Sequence, residues 1–560
     1  MGNAFKCWIS NKRYAVSGTT SVDISRHQST SKKSLTAYRL LLTLPIVLFF
    51  AGCASQGVDA GRALGRFRNG DDEAALKWAK ATRDSTFSQK LGLLEMGRLK
   101  MLTGQFDESI TEFETLIDKV MIQGEAGPVF SVGDFGMDIL AGTIADDRAR
   151  DYTVSAFEFI LALQYQMLNR LFMERRAEAM VEMRRAVFAQ DQIAEKYGAE
   201  VEAGRLRAAE QQGDSLATVN EHMVDMDAVV NLTRSTFENP VTWYLCGLLL
   251  EEDRDVANAA VALEKAWQLA PQNPAIRNDF LRLLRTQNPA RSRDLMATLK
   301  INDVSPRPAS GIVLIYEENL ISRKASVKIP LILLGTVSSI DFPIYRDPAY
   351  IPSTIEVHGA GTRLGTMDST LSIQSLAYRD LKERMPGIVL RNVTRVISRI
   401  TTQAVAHNAA RGSSNSGLLH LGVIAASAVQ TVLTEADTRA WYTLPMNVQV
   451  LRSALPAGEH TLLLKNLGNG INMELPILLA EGETRIVWVA DIAGRAWGTS
   501  ATLHGRGAPT SFTMLPGILT APTMIPNTER TQEGEQTEKQ DGEQKDTPQD
   551  ERKNDDGITS

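Results

Sequence analysis

Three cysteines, Cys7, Cys53 and Cys246, and seven histidines, at positions 27, 222, 358, 407, 420, 460 and 504, carry the nucleophile and soft-metal chemistry open to this 560-residue sequence. Their spacing speaks against both uses. The histidines are scattered, with no HExxH and no pair four residues apart, so no zinc-ligand set can be drawn. No GxxxxGK[ST] and no GxSxG occurs. Gly359, Gly361 and Gly365 follow a strand-like run, but the last glycine falls one position late for a dinucleotide fingerprint, and a short turn accounts for them. Carboxylates are plentiful, so an acid pair flanking a cleft stays open. The expectation is a protein with no catalytic residue, no metal and no cofactor. An enzyme acting on cell-wall glycan or peptide is the second reading.

One cysteine has chemistry of a different kind. Lys32, Lys33 and Arg39 precede the apolar run 40–50 (LLLTLPIVLFF), and Ala51, Gly52 and Cys53 follow. A basic region, a short apolar region and small residues at a cut make a secretory signal. The run is too short for a transmembrane helix, which needs about 20 residues. The ending Phe50-Ala-Gly-Cys53 resembles the bacterial lipobox, whose cysteine is acylated after cleavage; Phe50 departs from the usual aliphatic residue. Residues 1–52 are then a signal peptide and Cys53 is the lipidation site. Each acyl chain contributes about 0.8 kcal/mol per buried methylene, so two or three chains anchor stably. Ala54, rather than Asp, follows the cysteine, which in enterobacterial-type sorting implies the outer membrane, facing the periplasm. The bland alternative is an incidental Cys53 after an ordinary signal peptide. With the leader gone, Cys246 has no partner thiol in the chain, and it reads as a small core residue.

The formal net charge of −6 is local. Residues 521–560 hold eleven acidic and five basic side chains, which accounts for all of it. This stretch has no aromatic residue and reads as a disordered acidic tail. The balanced remainder lacks the basic footprint that nucleic acid requires, so no nucleic-acid partner is expected.

What would present a partner surface is a repeat. Trp243, Cys246, Gly247, Leu250, Ala259, Leu263, Ala266 and Pro271 fall at the offsets of a tetratricopeptide-like helix pair. Gly247 and Ala259 let two helices approach, Leu263 fills the space beside them, and Pro271 ends the second helix. A second unit places Gly97 and Phe113 at the same spacing, with Leu93, Met96, Ser109 and Leu116. Half a unit more is seen in Ala74, Trp78 and Ala81. Glu182, Arg184 and Arg185 read as a surface ion cluster or a ligand contact, and 124–150 as a long loop. Residues 53–300 are thus expected to form a helical repeat array, whose curved surface suits a protein partner.

From residue 309 to about 500 the pattern changes to a mixed α/β domain. Strand-like runs at 311–316, 325–334, 353–357, 447–451, 460–464, 473–478 and 484–489 predict mainly antiparallel strands. Between them lies a helical hairpin: 375–385, a break at Pro386-Gly387, 388–410, a glycine-serine turn, then 418–433. Arg391, Arg395 and Arg399 repeat every four residues and form one stripe. That stripe suits phosphate, lipid head groups or an acidic partner, and equally a solvated face with ion pairs. The small-residue helix 418–433 suits a buried core or a bilayer contact. The fold class expected is α+β multidomain, a helical array followed by this mixed domain.

The motif Asp437-x-Arg439-x-Trp441-x-x-Leu444-Pro445, followed by 455–460 (LPAGEH), resembles a signature of a family of bacterial lipoproteins with tetratricopeptide-like repeats. The segment 181–185 and the strand 311–316 with Glu317 resemble it too, and the likeness runs to about residue 495. The resemblance implies a cell-envelope role, by association with lipoproteins that activate peptidoglycan synthases. The same three residues read structurally as an Asp437–Arg439 pair orienting a strand that Trp441 buries. The expected function is a lipid-anchored scaffold that captures an envelope protein partner through its repeats and touches the membrane through its anchor. A membrane-contacting lipoprotein using the hairpin is the third reading.

Overall fold

The run Gly311–Glu318 (GIVLIYEE) is buried at all eight positions. A strand covered on one face alternates; a continuous apolar run implies cover on both. The computed structural model, which describes residues 56–124, 127–129, 150–345, 351–411, 436–492, 494–507, 511–515 and 517–519, shows what covers it. On one side Ile312, Leu314 and Tyr316 meet a second sheet. On the other, Val313 and Ile315 meet helices. The sheet holding this strand is therefore the middle of three layers.

The middle sheet has the order β14-β13-β12-β3-β9-β8, built from Gly311–Glu318 (β3), Ser369–Ser372 (β8), Asn447–Ala454 (β9), Thr484–Ile492 (β12), Arg495–His504 (β13) and Phe512–Leu515 (β14). Its pairs are antiparallel except β3 with β12, which run parallel from Gly311↔Thr484 to Glu318↔Asp491. The outer sheet has the order β15-β11-β10-β6-β7, from Ile355–Gly359 (β6), Thr362–Met367 (β7), Gly458–Asn466 (β10), Ile471–Leu479 (β11) and Gly517–Leu519 (β15), and is antiparallel throughout. Its strands alternate, as in β11 with Met473, Leu475, Ile477 and Leu479 buried, because only one face is covered. A separate hairpin joins Lys324–Leu333 (β4) to Thr336–Tyr345 (β5) through Leu334 and Gly335, both at positive φ.

The helical layer begins with Gln56–Arg68 (α1), Asp72–Arg83 (α2), Gln89–Leu102 (α3) and Phe106–Val120 (α4). Ala156–Phe172 (α5) and Arg176–Glu221 (α6) follow, the latter kinked at Gln212 (φ −143°, ψ 35°). Then come Val224–Val230 (α7), Pro240–Glu252 (α8), Val256–Leu269 (α9), Pro274–Gln287 (α10) and Pro289–Leu299 (α11). Asn239, Asn273 and Asn288 each precede a proline at the first helical position and cap the following backbone N–H groups. Through α6, and again from α8 to α11, each helix packs on its neighbour in sequence. Glycine lets two of these helix pairs approach closely. A Cβ on Gly97 would lie 2.8 Å from the Phe113 ring, and one on Gly247 would lie 2.6 Å from Leu263 Cδ2.

Several expectations change. Pro386 does not end a helix: Ile373–Arg411 (α12) runs through it. The missing N–H costs one hydrogen bond, but Leu381, Met385, Val389, Leu390 and Val393 are buried on both sides of the proline and hold the two halves in line. The second hairpin arm, 418–433, lies outside the described residues. The stretch 124–150 begins in a short hairpin, Ile122–Gly124 (β1) with Gly127–Val129 (β2). Strands β5, β7, β8, β13, β14 and β15 were not among those expected. The pattern change near residue 305 marks a change of secondary structure, and one apolar cluster runs across it, from Leu94 and Leu161 to Ile315 and Trp488.

Candidate functional site

Between the helical layer and the middle sheet runs an irregular segment, 436–446, which carries the Asp-x-Arg-x-Trp motif. A segment without ladder partners must satisfy its backbone donors elsewhere. Here the helices supply the acceptors. Glu95 of α3 accepts from Tyr442 N at 2.7 Å, from Thr443 N at 3.2 Å and from Thr443 Oγ1 at 2.6 Å. Glu158 of α5 accepts from Trp441 N at 3.3 Å, Tyr152 OH at 2.6 Å and Ser155 N at 2.9 Å. Trp441 is fully buried, its ring 5.9 Å from both Phe113 and Tyr165. Leu444 and Pro445 are buried, and the Leu444 carbonyl accepts from Ile321 N at 3.0 Å.

Arg439 fixes the near end of the segment. Its guanidinium grips Asp437 through both oxygens, at 2.8 and 2.7 Å, and also donates to the Phe87 and Arg150 carbonyls at 2.7 and 3.0 Å. The Asp437–Arg439 pair is thus present, although Trp441 lies in the irregular segment just before a turn rather than on a strand. Burial governs the charges here. It pushes the Glu95 carboxyl up to about 8, against the pull of its hydrogen bonds, and raises Glu158 as well. Burial likewise lowers Lys324, which donates to the Arg439 carbonyl at 3.2 Å.

Two cavities flank the Asp437–Arg439 pair and share Lys324 and Ala436 as wall residues. The larger, of about 800 Å³, opens between α1, α2 and 320–326. The smaller, of about 150 Å³, is lined by Arg384, Arg391, Asp380 and Tyr152 among others. The three arginines of the expected stripe have different surroundings. Arg391 faces the smaller cavity, Arg395 is buried and donates to Asn392 Oδ1 at 2.9 Å, and Arg399 is half-buried. They do not form a solvated face.

The repeat residues gather in the helical core. Trp243, Ala259, Leu263 and Ala266 are buried around Gly247, Phe113 is buried against Gly97, and Pro271 lies two residues beyond the end of α9. Cys246 is buried, with its thiol raised by desolvation. Glu182 pairs with Arg185 at 3.3 Å, and Arg184 with Asp253 at 3.5 Å. Cys53 lies outside the described residues, as do residues 1–52 and the tail 521–560. Among the described residues no group of three His, Cys, Asp or Glu converges to hold a metal, and no helix is long and apolar enough to cross a membrane.

Glu95 and Glu158 were not singled out from the sequence. For Glu158 a signal exists: Ser155-x-x-Glu158 before an apolar run is a capping box. For Glu95 the sequence holds none, since an acid in a helix ordinarily faces water. No protein-family model matches this sequence, and no curated protein matches it.

Proposed function

We propose that this chain is a lipid-anchored scaffold of the bacterial cell envelope. Acylated at Cys53 and held on the periplasmic side of the outer membrane, it binds an envelope protein partner, in peptidoglycan synthesis or envelope assembly, and catalyses no reaction. The lipobox-like sequence supports the anchor. The helix pairs at Gly97/Phe113 and Gly247/Leu263 support a tetratricopeptide-like array. The inner face of that array is filled by the protein's own sheet and by 436–446. The partner therefore meets the outer face. The observation that carries this reading is that outer face: Val181 and Phe188, two turns apart on α6, and Val261 on α9 are exposed apolar side chains on helices bridged by Lys265–Asp191 at 2.6 Å. A partner's apolar surface laid over these helices would remove the three side chains from water.

The test is crosslinking in intact cells with a photoreactive side chain at Val181, Phe188 or Val261, compared with one at Glu459 on the far sheet. A discrete crosslinked protein from the helical positions alone is expected. Equal labelling from both faces, or none from either, contradicts the reading.

A further inference from the structure

The hairpin of β4 and β5 carries apolar side chains where a half-covered hairpin ordinarily carries polar ones. Its inner face is covered: Ile329, Leu331, Leu333 and Ile340 are buried, with β4 packed on α6 and β5 on α12. A strand covered on one face puts polar residues on the other. Near the base β4 does so, with Ser326 and Lys328 exposed. At the apex the alternation fails. Ile332 and Val337 stand directly opposite each other on the outer face, 77% and 73% exposed, and Leu334 in the turn beside them is 64% exposed. The stretch 329–340 (IPLILLGTVSSI) holds no charge. The three exposed side chains are neighbours, so they make one contiguous aliphatic tip rather than scattered surface residues.

The strands themselves narrow what covers this tip. A two-stranded sheet leaves both edges open to an added strand. Each edge is blunted by a proline, Pro330 on β4 and Pro343 on β5. A proline in a ladder stands where its missing N–H would have pointed outward, so each edge lacks a donor that an added strand needs. What is left is a cover laid over the face and around the turn. The place of the hairpin indicates which. Gly57, four residues after Cys53, lies beside the start of β4: a Cβ on it would stand 3.7 Å from the Lys324 carbonyl oxygen. Four residues span at most about 14 Å, and the ten residues of β4 about 30 Å. Acyl chains on Cys53 thus bring a bilayer surface to the base of the hairpin, within one strand length of the tip.

We propose that the β4–β5 tip is a second membrane contact: Ile332, Leu334 and Val337 enter the phospholipid leaflet that holds the acyl chains, and Lys328 on the same face meets its phosphates. The tip enters only shallowly, because the open strand edges carry backbone polar groups that hydrocarbon does not satisfy. The consequence is orientation. A single lipid tether lets the chain swivel, and a second contact fixes which helices face the periplasm. The place of the tip at the membrane rests on the anchor reading; its affinity for lipid does not, and the test separates the two.

The unacylated mature chain, residues 53–560, is floated with vesicles of phosphatidylethanolamine and phosphatidylglycerol. Flotation is expected. The variant carrying I332S, L334S and V337S should bind about tenfold or more weakly, with an unchanged thermal melt because exposed side chains add little to stability. For position, the same chain is tethered through the Cys53 thiol to a maleimide-bearing phospholipid, Cys246 being buried, with a photoreactive side chain at Leu334 or at Glu459. Lipid adducts from position 334 alone are expected. Failure of the wild type to float, equal flotation of the serine variant, or no lipid adduct from 334 overturns the proposal. In intact cells, a protein adduct from 334 in place of a lipid one makes the tip a protein-docking surface and overturns it as well. Absence of acylation in the cell would remove the anchor reading and leave both vesicle results standing.

Discussion

Glu95 accepts the backbone N–H of Tyr442 at 2.7 Å, across 347 positions of sequence. With Thr443 N and Oγ1 it makes three such bonds from one buried carboxyl. Glu95→Ala leaves two buried backbone donors without acceptors, at about 1–3 kcal/mol each. Its pH dependence has a definite sign. The folded-state pKa of about 8 lies above the ordinary 4.5, so the folded protein binds this proton more tightly than the unfolded chain. The stability that this proton contributes is therefore fully present below the ordinary value and is lost as pH rises from there through about 8. Denaturant melts of wild type and Glu95→Gln should show a steeper decline across that window in wild type. Parallel curves contradict the assignment.

Arg98 of α3 and Glu317 of β3 pair with both side chains 1% exposed, and the Arg98 guanidinium stacks 4.4 Å from the Tyr165 ring centre. A buried pair broken on one side strands a charge. Glu317→Leu alone should cost about 3–5 kcal/mol, while adding Arg98→Met should recover much of it. A double-mutant cycle by urea unfolding measures both; additive losses contradict a coupled pair.

How far the fold is legible follows from these residues. Gly97 with Phe113 and Gly247 with Leu263 are each sixteen residues apart, and that spacing alone predicts the helix contacts found. The runs 311–316, 447–451 and 484–489 predict strands because both faces of their sheet are covered. Strand β5 (TVSSIDFPIY) hides behind Asp341 and Pro343, and β13 behind Arg495 and Gly498, so neither reads as a strand. Pro386 misleads because tertiary burial outweighs a local signal. The candidate site was half visible: Asp437, Arg439 and Trp441 stand in a motif, whereas Glu95 looks like a surface charge until a segment 347 positions away buries it.

Two glycines on helices separate close approach from empty space. Gly247→Ala places a methyl 2.6 Å from Leu263 Cδ2 and should destabilise by about 1–3 kcal/mol. Gly65→Ala meets nothing within 4 Å and should stabilise by about 0.5–1 kcal/mol through helix propensity. Thermal melts of the two variants should shift in opposite directions; a shift of the same sign in both is the contrary result.

Arg439 uses its whole fork, with two bonds to Asp437 and one each to the Phe87 and Arg150 carbonyls. A lysine keeps the charge and cannot reach all four acceptors. Arg439→Lys should therefore cost about 1–3 kcal/mol. Amide exchange should report the loss first in 436–446; uniform exchange across the fold would contradict a local staple.

The anchor is the claim on which the envelope reading depends most. Mass spectrometry of the mature N-terminus, with membrane fractionation of wild type and Cys53→Ser, addresses it directly. An acylated Cys53 as the first residue, recovered with the outer membrane, is expected of wild type, and a soluble or unprocessed protein of the serine variant. An unmodified N-terminus in the soluble periplasmic fraction of wild type would contradict it.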